Sequence, residues 1–355
     1  MPISLKQKNM EGEYYPPQLL SQKLNNRAAY CITITKNYEE AIKLLTKALK
    51  LTETNEEHKN DDYATGGNNA KPRCNCKDCS LESCLIMEQD EFMSLLRMDQ
   101  TTQTTQTQQD QQQQHSQHSH DEHHQDGYNP SKKIKKETFD LDDGNDDEGF
   151  VYGRPLLVNK VCIDEMHNMG ITLSLIILFN LALAHHLKAI SIPFTVHSSK
   201  SKISSSSSTT VTQNAKSKLQ VLQQALQLYE LAYQLRVDYI QQSQQDELLS
   251  ISNHDNDNDN DNDMDISNSA DEVYNQSMIG SLRFTMIVSN NLGEIHRAAG
   301  NTEKHTMCLQ HLLSAMMYMV DSDLLVLESS SMNGFYSNVA PIMGLKKKGV
   351  FAQAA

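Results

Sequence analysis

Three tracts of low complexity interrupt this chain of 355 residues and limit how much of it can fold. Residues 100–125 are mostly Gln, Thr and His, residues 199–210 are mostly Ser and Thr, and residues 254–265 mostly alternate Asp with Asn. Such tracts cannot bury enough apolar surface to offset the entropy lost on ordering them. Without them and their flanks, roughly 170–190 residues remain, which is enough for about one domain.

The negative charge of the chain is concentrated in these polar regions. Of the formal net charge of −14, residues 53–150 contribute 22 acidic and 9 basic side chains, and residues 250–272 contribute 8 acidic side chains and no basic one. The remaining sequence is therefore positively charged, with 22 basic and 15 acidic side chains. An acidic chain argues against direct contact with nucleic acid, and none is expected, but the folded part is free to meet an acidic partner.

The sequence predicts an intracellular protein, cytoplasmic or nuclear. Met1–Lys8 carries no apolar stretch after its charges, so no secretory signal is expected. Residues 171–184 form the longest apolar stretch, which is too short to span a membrane and predicts a buried helix. Seven cysteines without a signal peptide indicate thiols in a reducing compartment.

Helical periodicity recurs in four segments, and no stretch alternates with period two, so the predicted fold class is all-α. The segments are about 17–51, 160–190, 214–244 and 275–320. The first follows Pro16-Pro17, which suits a helix start, and divides into two helices at Lys36-Asn37. The fourth divides at Gly300-Asn301. The segment 160–190 is apolar on most sides and is expected at the centre of the core.

Small residues in three of these segments follow the spacing of a known repeat. Residues 25–49 read NNRAAYCITITKNYEEAIKLLTKAL, with Ala29 at the small position, and residues 291–301 read NLGEIHRAAGN. Asn180-Leu181-Ala182 opens a middle copy, whose two helices are separated by about 31 extra residues. These stretches resemble the consensus N-L-G-x-x-Y-x-x-x-G-[DN]-Y of the tetratricopeptide repeat, a helical hairpin of about 34 residues. The chain is thus similar to a tetratricopeptide-repeat-like protein with three degenerate repeats; an unrelated helical bundle is the alternative.

The resemblance implies a tetratricopeptide-like (TPR-like) α-solenoid of antiparallel hairpins, built as one discontinuous domain with large disordered insertions. Because one repeat cannot bury its faces alone, the hairpin at 17–51 is expected to dock against the 160–190 helix across a long linker. The predicted parts are a hairpin (repeat 1) at 14–52, a disordered acidic, Gln/His-rich linker at 53–150, a core with repeats 2 and 3 at 151–325 with disordered insertions at about 193–214 and 248–272, and a C-terminal cap and tail at 326–355.

The resemblance also implies a concave groove on the first helices that binds a peptide or helix of another protein. By motif position, its lining is Asn26, Tyr30 and Thr33 of repeat 1, Phe179, Leu183 and His186 of repeat 2, and Asn290, Glu294 and Arg297 of repeat 3. The Lys and Arg positions with which some family members clamp a chaperone's carboxylate tail are not filled together, so that ligand is not expected. In the alternative interpretation, another helix covers the apolar middle of this face.

Four cysteines lie within eleven residues in the spacing C-x-C-x-x-C-x-x-x-x-C: Cys74, Cys76, Cys79 and Cys84. Four thiolates can hold zinc tetrahedrally, and nearby Lys and Arg side chains favour deprotonation. A structural zinc site normally pairs two knuckles across a loop, however, and so short a run is cramped. A ligand-free thiol cluster is the favoured interpretation, with zinc binding and redox pairing as alternatives, and no metal or cofactor is predicted.

The other polar clusters are interpreted without specific chemistry. The aspartates of 255–265 lack the Gly and the closing Glu of a calcium loop. His185 stands at a packing position of the repeat, so it is not interpreted as a catalytic base. The histidines of the Gln-rich tract are interpreted as part of a polar expansion; they are His115, His118, His120, His123 and His124.

No motif nominates an enzyme, because neither a Ser-His-Asp arrangement nor a phosphate-cradling loop nor a zinc-protease motif is present. The leading hypothesis is a non-enzymatic interaction scaffold that binds another protein in its groove. The alternative is a nuclear, transcription-associated regulator that uses the Gln-rich and acidic segments, with Lys132-Lys133-Ile134-Lys135-Lys136 as its import signal. Deleting residues 131–137 and following the location of a fluorescent fusion separates the two hypotheses.

Overall fold

The computed structural model describes residues 16–61, 77–85, 87, 90–96, 149–192, 208–252, 267–321 and 329–345. Over these residues the chain is 82% helical and contains no strand, which confirms the all-α fold class.

The N-terminal hairpin starts and divides where predicted, but its second helix runs past the predicted end at 52. Helix α1 (Pro17–Tyr30) begins with a proline in its first turn, continues into one π-helical turn (Cys31–Thr35), and stops at Lys36, whose φ is +54°. Helix α2 (Tyr38–Asp61) packs back against α1. The hydroxyl of Ser21 donates to the carbonyl of Ala48 over 2.8 Å, which fixes the register of the two helices.

Part of the predicted disordered linker at 53–150 is folded, and here the structure differs from the prediction. A 3-10 turn (Lys77–Cys79) leads into α3 (Leu81–Leu85), and residues 90–96 form α4. The apolar side chains of these short elements are buried, among them Leu81, Leu85, Phe92 and Leu96. The acidic average composition of 53–150 gave no indication of these short elements. A few apolar residues are nevertheless enough to dock a short segment onto an existing core.

Six further helices follow: α5 (Lys160–Asp164), α6 (Ile171–Ser191), α7 (Ser208–Ser252), α8 (Ser267–Ala298), α9 (Thr302–Asp321) and α10 (Ser329–Val339). Both ends of α7 and the start of α8 extend into the ranges predicted as insertions. Residues 193–207 and 253–266 of those insertions lie outside the described residues. Helix α10 falls within the predicted cap, and the tail 346–355 is also outside the described part.

Helices α1, α2, α6, α7, α8, α9 and α10 pack in this order, each against the next. The predicted contact of the hairpin with the 160–190 helix is confirmed by the packing of α2 on α6. Helix α6 is long and apolar enough to pass for a membrane span by composition, but 72% of its most apolar window is buried inside the protein. Its predicted place in the core is therefore confirmed. All described residues except Gly149 belong to one compact unit, formed by 1–96 and 150–355.

Candidate functional site

Residues 150–158 run through the interior of the protein without forming a helix or a turn. We call this stretch, FVYGRPLLV, the central segment. Tyr152, Leu156, Leu157 and Val158 are between 0 and 3% exposed. Because a buried backbone must satisfy its N–H and C=O groups, a segment without secondary structure needs partners of another kind.

Four asparagine side chains supply these partners, and we call them the asparagine row: Asn26, Asn180, Asn291 and Asn338. Each side-chain oxygen accepts from the N–H of one residue of the central segment, and each side-chain amide donates to the C=O of the same residue. The two distances are 2.8 and 2.8 Å for Asn26 with Val158, 2.8 and 2.7 Å for Asn180 with Leu156, 2.9 and 3.1 Å for Asn291 with Tyr152, and 2.9 and 2.7 Å for Asn338 with Phe150.

The residues held in this way are four of the five even-numbered residues of the segment, at positions 150, 152, 156 and 158, so they share the one side that alternate residues of an extended chain present. An asparagine amide offers one donor and one acceptor side by side, so it pairs with a residue's backbone as a neighbouring strand would. These eight bonds contact only main-chain atoms. The asparagine row therefore binds an extended backbone whatever side chains that backbone carries.

The four asparagines come from four helices that share one local pattern. They lie on α1, α6, α8 and α10, and each is followed two positions later by a small buried residue: Ala28, Ala182, Gly293 and Ala340. A Cβ added to Gly293 would come within 3.4 Å of the Cβ of Cys308 on α9. The small residue therefore allows the next helix to approach closely at the level of the asparagine.

In the first helix the pattern is displaced by one residue from the predicted alignment. The prediction placed Ala29 at the small position, whereas the bonds of Asn26 to Val158 make Ala28 the equivalent of Ala182 and Gly293. The π-helical turn Cys31–Thr35 accounts for the difference, because it takes up one extra residue before the turn.

Two further asparagines, Asn25 and Asn290, each directly precede a member of the row and bind both the central segment and another member of the row. Asn25 accepts from Asn180 over 2.9 Å and donates to the carbonyl of Leu156 over 3.1 Å. Asn290 donates to the carbonyl of Phe150 over 2.9 Å and accepts from Asn338 over 2.8 Å. These neighbours fix the orientation of the asparagines, since a flipped amide would place like atoms against each other.

Aromatic side chains hold the N-terminal half of the central segment. The ring of Phe150 meets Phe335 edge to face at 5.5 Å between centroids, and Tyr152 stacks on Phe335 at 6.1 Å. Tyr152 also lies 6.5 Å from Phe179, the centre of a cluster with Tyr229 and Phe284. A Cβ at Gly334 would overlap the ring of Phe150, so α10 provides space for that ring only because position 334 is glycine.

Met87 and residues 90–96 also pack against the central segment. The Arg154 guanidinium lies 4.5 Å from the centroid of the Phe92 ring and donates to the carbonyl of Met87. Leu157 packs in a small separate core with Ala29, Met87, Phe92 and Leu96. The central segment therefore contacts α4 as well as the helices that carry the asparagine row.

Most of the nine predicted groove residues are buried and do not line an open surface. Thr33, Phe179, Leu183, His186, Asn290 and Glu294 are buried, Asn26 and Tyr30 are half-buried, and Arg297 is exposed. Asn26 and Asn290 bind the central segment, whereas Phe179 and His186 pack against Tyr229 of α7. Other parts of the chain thus cover these residues. In the apolar middle, the cover is another helix, as in the alternative interpretation.

Sequence reasoning did not nominate Asn291 or Asn338 as binding residues and used Asn180 as the first residue of the middle repeat copy. A signal for them exists, since Asn followed at the second position by Ala or Gly recurs in four helices. Their partner gave no such signal. The central segment is short and contains Gly153 and Pro155, and its hydrogen bonds go to asparagine side chains 24 to 188 positions away, which no local periodicity reports.

The two histidines of α6 serve packing. Burial lowers the pKa of His186 to about 3, and its ring meets Tyr229 edge to face at 6.2 Å. Burial is also the main cause that lowers the pKa of His185. A neutral, enclosed imidazole suits a helix interface, which agrees with the packing role predicted for His185.

Of the predicted thiol cluster, the structure describes two members, and they are in different surroundings. Cys79 lies beside Cys162 and His167, a group that sequence spacing did not suggest. Cys84 is enclosed, and burial raises the pKa of its thiol to about 12. Cys74 and Cys76 lie outside the described residues, as do the His tract at 115–124, the Lys run at 132–136 and the aspartates of 255–265.

Comparisons with known protein families, with curated protein sequences and with solved structures gave no match.

Proposed function

We propose that this protein is a non-enzymatic interaction scaffold whose TPR-like groove binds an extended peptide of another protein by its backbone. The observation that carries the proposal is the asparagine row, which holds both main-chain polar groups of Phe150, Tyr152, Leu156 and Val158 in the central segment. The central segment is the resident ligand of this groove, and a partner peptide of the same geometry takes its place.

The packing order of the helices supports the solenoid part of the proposal. The pairs α1–α2, α6–α7 and α8–α9 would be three degenerate repeats, and α10 would be the first helix of an incomplete fourth. In a stack of hairpins each unit contacts only its neighbours, and equivalent positions of the first helices line one face. Four asparagines at equivalent positions, all bound to one segment, fit that arrangement.

The chemistry of the row supports a peptide rather than a folded surface or a helix as ligand. Amides that each bind the N–H and the C=O of one residue require a chain whose main-chain groups are not already paired, which excludes helices. Side chains add selectivity, because Phe150 and Tyr152 occupy aromatic sites and Leu156 is buried. The expected partner sequence is extended and carries aromatic or branched apolar residues at alternate positions.

The resident segment sets the condition for exchange. It is tethered next to α5, so its effective concentration at the groove is on the order of millimolar for a short flexible connection. A partner peptide therefore binds well only when the resident segment is weakened or when the partner is itself held nearby. The large linkers of this chain offer places for such a second contact.

The test uses the full-length chain with Phe150, Tyr152, Leu156 and Val158 all replaced by serine, which weakens the resident side chains and keeps the backbone. A fluorescent peptide of residues 148–160, EGFVYGRPLLVNK, is titrated into this variant and into the unaltered chain. We expect saturable binding to the variant, at least about tenfold weaker binding to the unaltered chain, and a melting temperature of the variant that rises with peptide concentration.

Two control peptides separate backbone recognition from apolar stickiness. One carries N-methyl groups at Tyr152 and Leu156, which removes the two N–H groups that donate to Asn291 and Asn180. The other is a scrambled peptide of equal composition. Both should bind much less. Equal binding of the N-methylated peptide contradicts the proposal, as does a serine variant that is folded but binds nothing, or one that no concentration of peptide restores to a folded state.

A further inference from the structure

Cys79, Cys162 and His167 bring their ligand atoms together although 83 residues separate the two cysteines. The Sγ atom of Cys79 lies 3.4 Å from Sγ of Cys162 and 3.3 Å from Nδ1 of His167. All three atoms are within 4.8 Å of one another. Both cysteines are buried, and the His167 side chain is 18% exposed, so the group is enclosed but open at one edge.

The end of α5 explains why Cys162 and His167 are neighbours. The N–H of His167 donates to the carbonyl of Cys162 over 2.9 Å, and the N–H of Met166 donates to that of Ile163. This pair of bonds is the Schellman closure of a helix, which folds the second residue past the helix back over its last turn. The spacing C-x-x-x-x-H therefore places thiol and imidazole side by side.

Met166 occupies the turn position of this closure with a φ of +53°. The same turns after α8 and α10 use Gly300 and Gly344, which adopt such angles without strain. A side chain in this conformation is unfavourable and persists where the surroundings require it. Here the constrained turn is what aims His167 at Cys79.

His167 is also oriented from its far side. Its Nε2 lies 2.7 Å from a carboxylate oxygen of Glu165, and the side-chain amide of Gln22 on α1 donates to its backbone carbonyl over 2.9 Å. With the ring proton on Nε2 and directed at Glu165, the Nδ1 lone pair faces the two thiols. A carboxylate, an imidazole and a metal in series is the usual arrangement around a zinc-ligating histidine.

We propose that Cys79, Cys162 and His167 form a metal site whose preferred ion is zinc. Two thiolates and one imidazole suit this borderline-soft ion, and oxygen-seeking ions such as magnesium or calcium would not choose them. On binding, each cysteine releases its proton and the neutral imidazole releases none, so one zinc ion displaces two protons. Three protein ligands leave the fourth tetrahedral position to a water molecule.

The observed spacing fits such an ion with little adjustment. Two sulfur atoms at about 2.3 Å from a tetrahedral centre are roughly 3.8 Å apart, against 3.4 Å between the thiols here. A disulfide would instead require the sulfurs to close to about 2.05 Å. The imidazole nitrogen beside the pair is an additional ligand for a metal and contributes nothing to a disulfide.

A metal here would fasten two parts of the chain that lie on either side of residues 97–148. Cys79 ends the 3-10 turn before α3, and Cys162 and His167 follow directly on the central segment. The site does not depend on the proposed peptide binding, because its ligands lie in the 3-10 turn, in α5 and just after α5, and none belongs to the asparagine row or the central segment. It would act as a structural clamp at the C-terminal end of the central segment.

The experiment reconstitutes the full-length chain, reduced and metal-free, with zinc chloride. Bound zinc is counted after gel filtration, and cobalt chloride is used as the spectroscopic substitute. We expect about one zinc per chain, release of about two protons, and a cobalt spectrum with thiolate charge transfer and tetrahedral bands. Cys162→Ser and His167→Asn should lose this ion, and Glu165→Gln should weaken binding by about tenfold or more.

Matched variants distinguish this site from others in the chain. Cys308→Ser changes a half-buried cysteine of α9 and should keep the zinc. Replacing the five histidines of the 115–124 tract with glutamine should keep it as well, and loss of zinc there would assign the ion to the tract. Helical circular dichroism of each variant shows whether a lost ion reflects a lost fold.

Three outcomes overturn the proposal. The first is an unaltered, reduced chain that binds no zinc after reconstitution. The second is loss of zinc in Cys84→Ala together with its retention in His167→Asn, which would favour the cysteine run that contains Cys84. The third is a Cys79–Cys162 disulfide that forms in a glutathione buffer of cytosolic potential and that zinc does not prevent.

Discussion

The side chain of Asn180 binds both main-chain groups of Leu156: its oxygen accepts from the N–H over 2.8 Å, and its amide donates to the C=O over 2.7 Å. Both residues are almost completely buried, at 0 and 1% exposure. At this degree of burial, solvent does not replace a lost bond. Losing the pair therefore costs more folding free energy than losing the bonds of an exposed asparagine.

Replacing Asn180 by alanine should destabilise the protein by about 3 kcal/mol, because the buried N–H of Leu156 and the side-chain oxygen of Asn25 each lose the bond to Asn180, at about 1–3 kcal/mol each. The C=O of Leu156 keeps its bond from Asn25. Asn180→Asp should cost at least as much, since it keeps an acceptor but loses the donor and buries a charge. Urea unfolding followed by circular dichroism measures both. Asn333→Ala, an exposed position of α10, is the control and should change little. A cost for Asn180→Ala no larger than for that control would remove the energetic basis of the asparagine row.

Gly334→Ala should loosen the N-terminal half of the central segment. The added methyl would overlap the ring of Phe150, so either the ring leaves its site on Phe335 or α10 moves outward. We expect a loss of about 1–3 kcal/mol and faster hydrogen exchange at Phe150 and Tyr152.

The control for Gly334 is Gly153→Ala in the central segment itself, where a Cβ would meet nothing nearer than 3.9 Å. In the background of Phe150→Ala the cost of Gly334→Ala should largely disappear, because the overlapping ring is gone. If the two substitutions are additive, the ring is not what position 334 accommodates.

Stability should fall between neutral and mildly acid pH because of His186. Burial lowers its pKa from 6.5 to about 3, so between these values the unfolded chain binds a proton that the folded chain does not. The contribution is complete above about pH 6.5 and is lost as the pH falls toward 3, by about 2 kcal/mol from pH 7 to pH 5. Lowered pKa values of His185, His296 and His305 act in the same direction.

His186→Leu should flatten this pH dependence, whatever it does to stability at pH 7, while substitution of the exposed His311 by asparagine should not. Unfolding free energies at several pH values between 5 and 8 give the comparison. An unchanged slope in His186→Leu would mean that the proton taken up on unfolding belongs to other groups.

The ion pair of Glu82 with Arg283 should be decisive for the docking of α3. Both side chains are largely buried, at 14 and 5% exposure, and Gly280 lets α3 lie close to α8. Glu82→Gln should destabilise the protein by about 3 kcal/mol, because it leaves a buried guanidinium without its counter-charge. Changing both residues, as Glu82→Leu with Arg283→Met, should cost less than the single change.

Thermal and urea unfolding measure these variants, and hydrogen exchange across 77–85 reports whether α3 detaches. Lys43→Met is the matched control, because it breaks an exposed pair with Glu40 and should change stability by less than about 1 kcal/mol. A double variant that is less stable than Glu82→Gln would argue that the pair acts through more than its charges.

The sequence predicts those features that depend on residues close together along the chain. Periodicity located α1, α2, α6 and α9 because a helix closes its hydrogen bonds within four residues. The Gly300-Asn301 turn and the proline start of α1 are local signals of the same kind. The buried place of α6 followed from its apolar composition alone.

The site could not be found by the same means. Asn180 and Leu156 are 24 residues apart, Asn338 and Phe150 are 188 apart, and neither pair leaves a periodic trace. The π-helical turn in α1 shifted the alignment by one residue, which only the contacts of Asn26 correct. Cys79 was compared with its neighbours in sequence, whereas its neighbours in space are Cys162 and His167.

The order of the chain also sets the order in which this site is made. A ribosome releases α1 first and the central segment before α6, α8 and α10, so three of the four asparagines emerge after the backbone they bind. Each later helix can therefore bind a central segment that has already been synthesised. In the proposed exchange, the groove would be emptied only after synthesis, when a partner peptide displaces this segment.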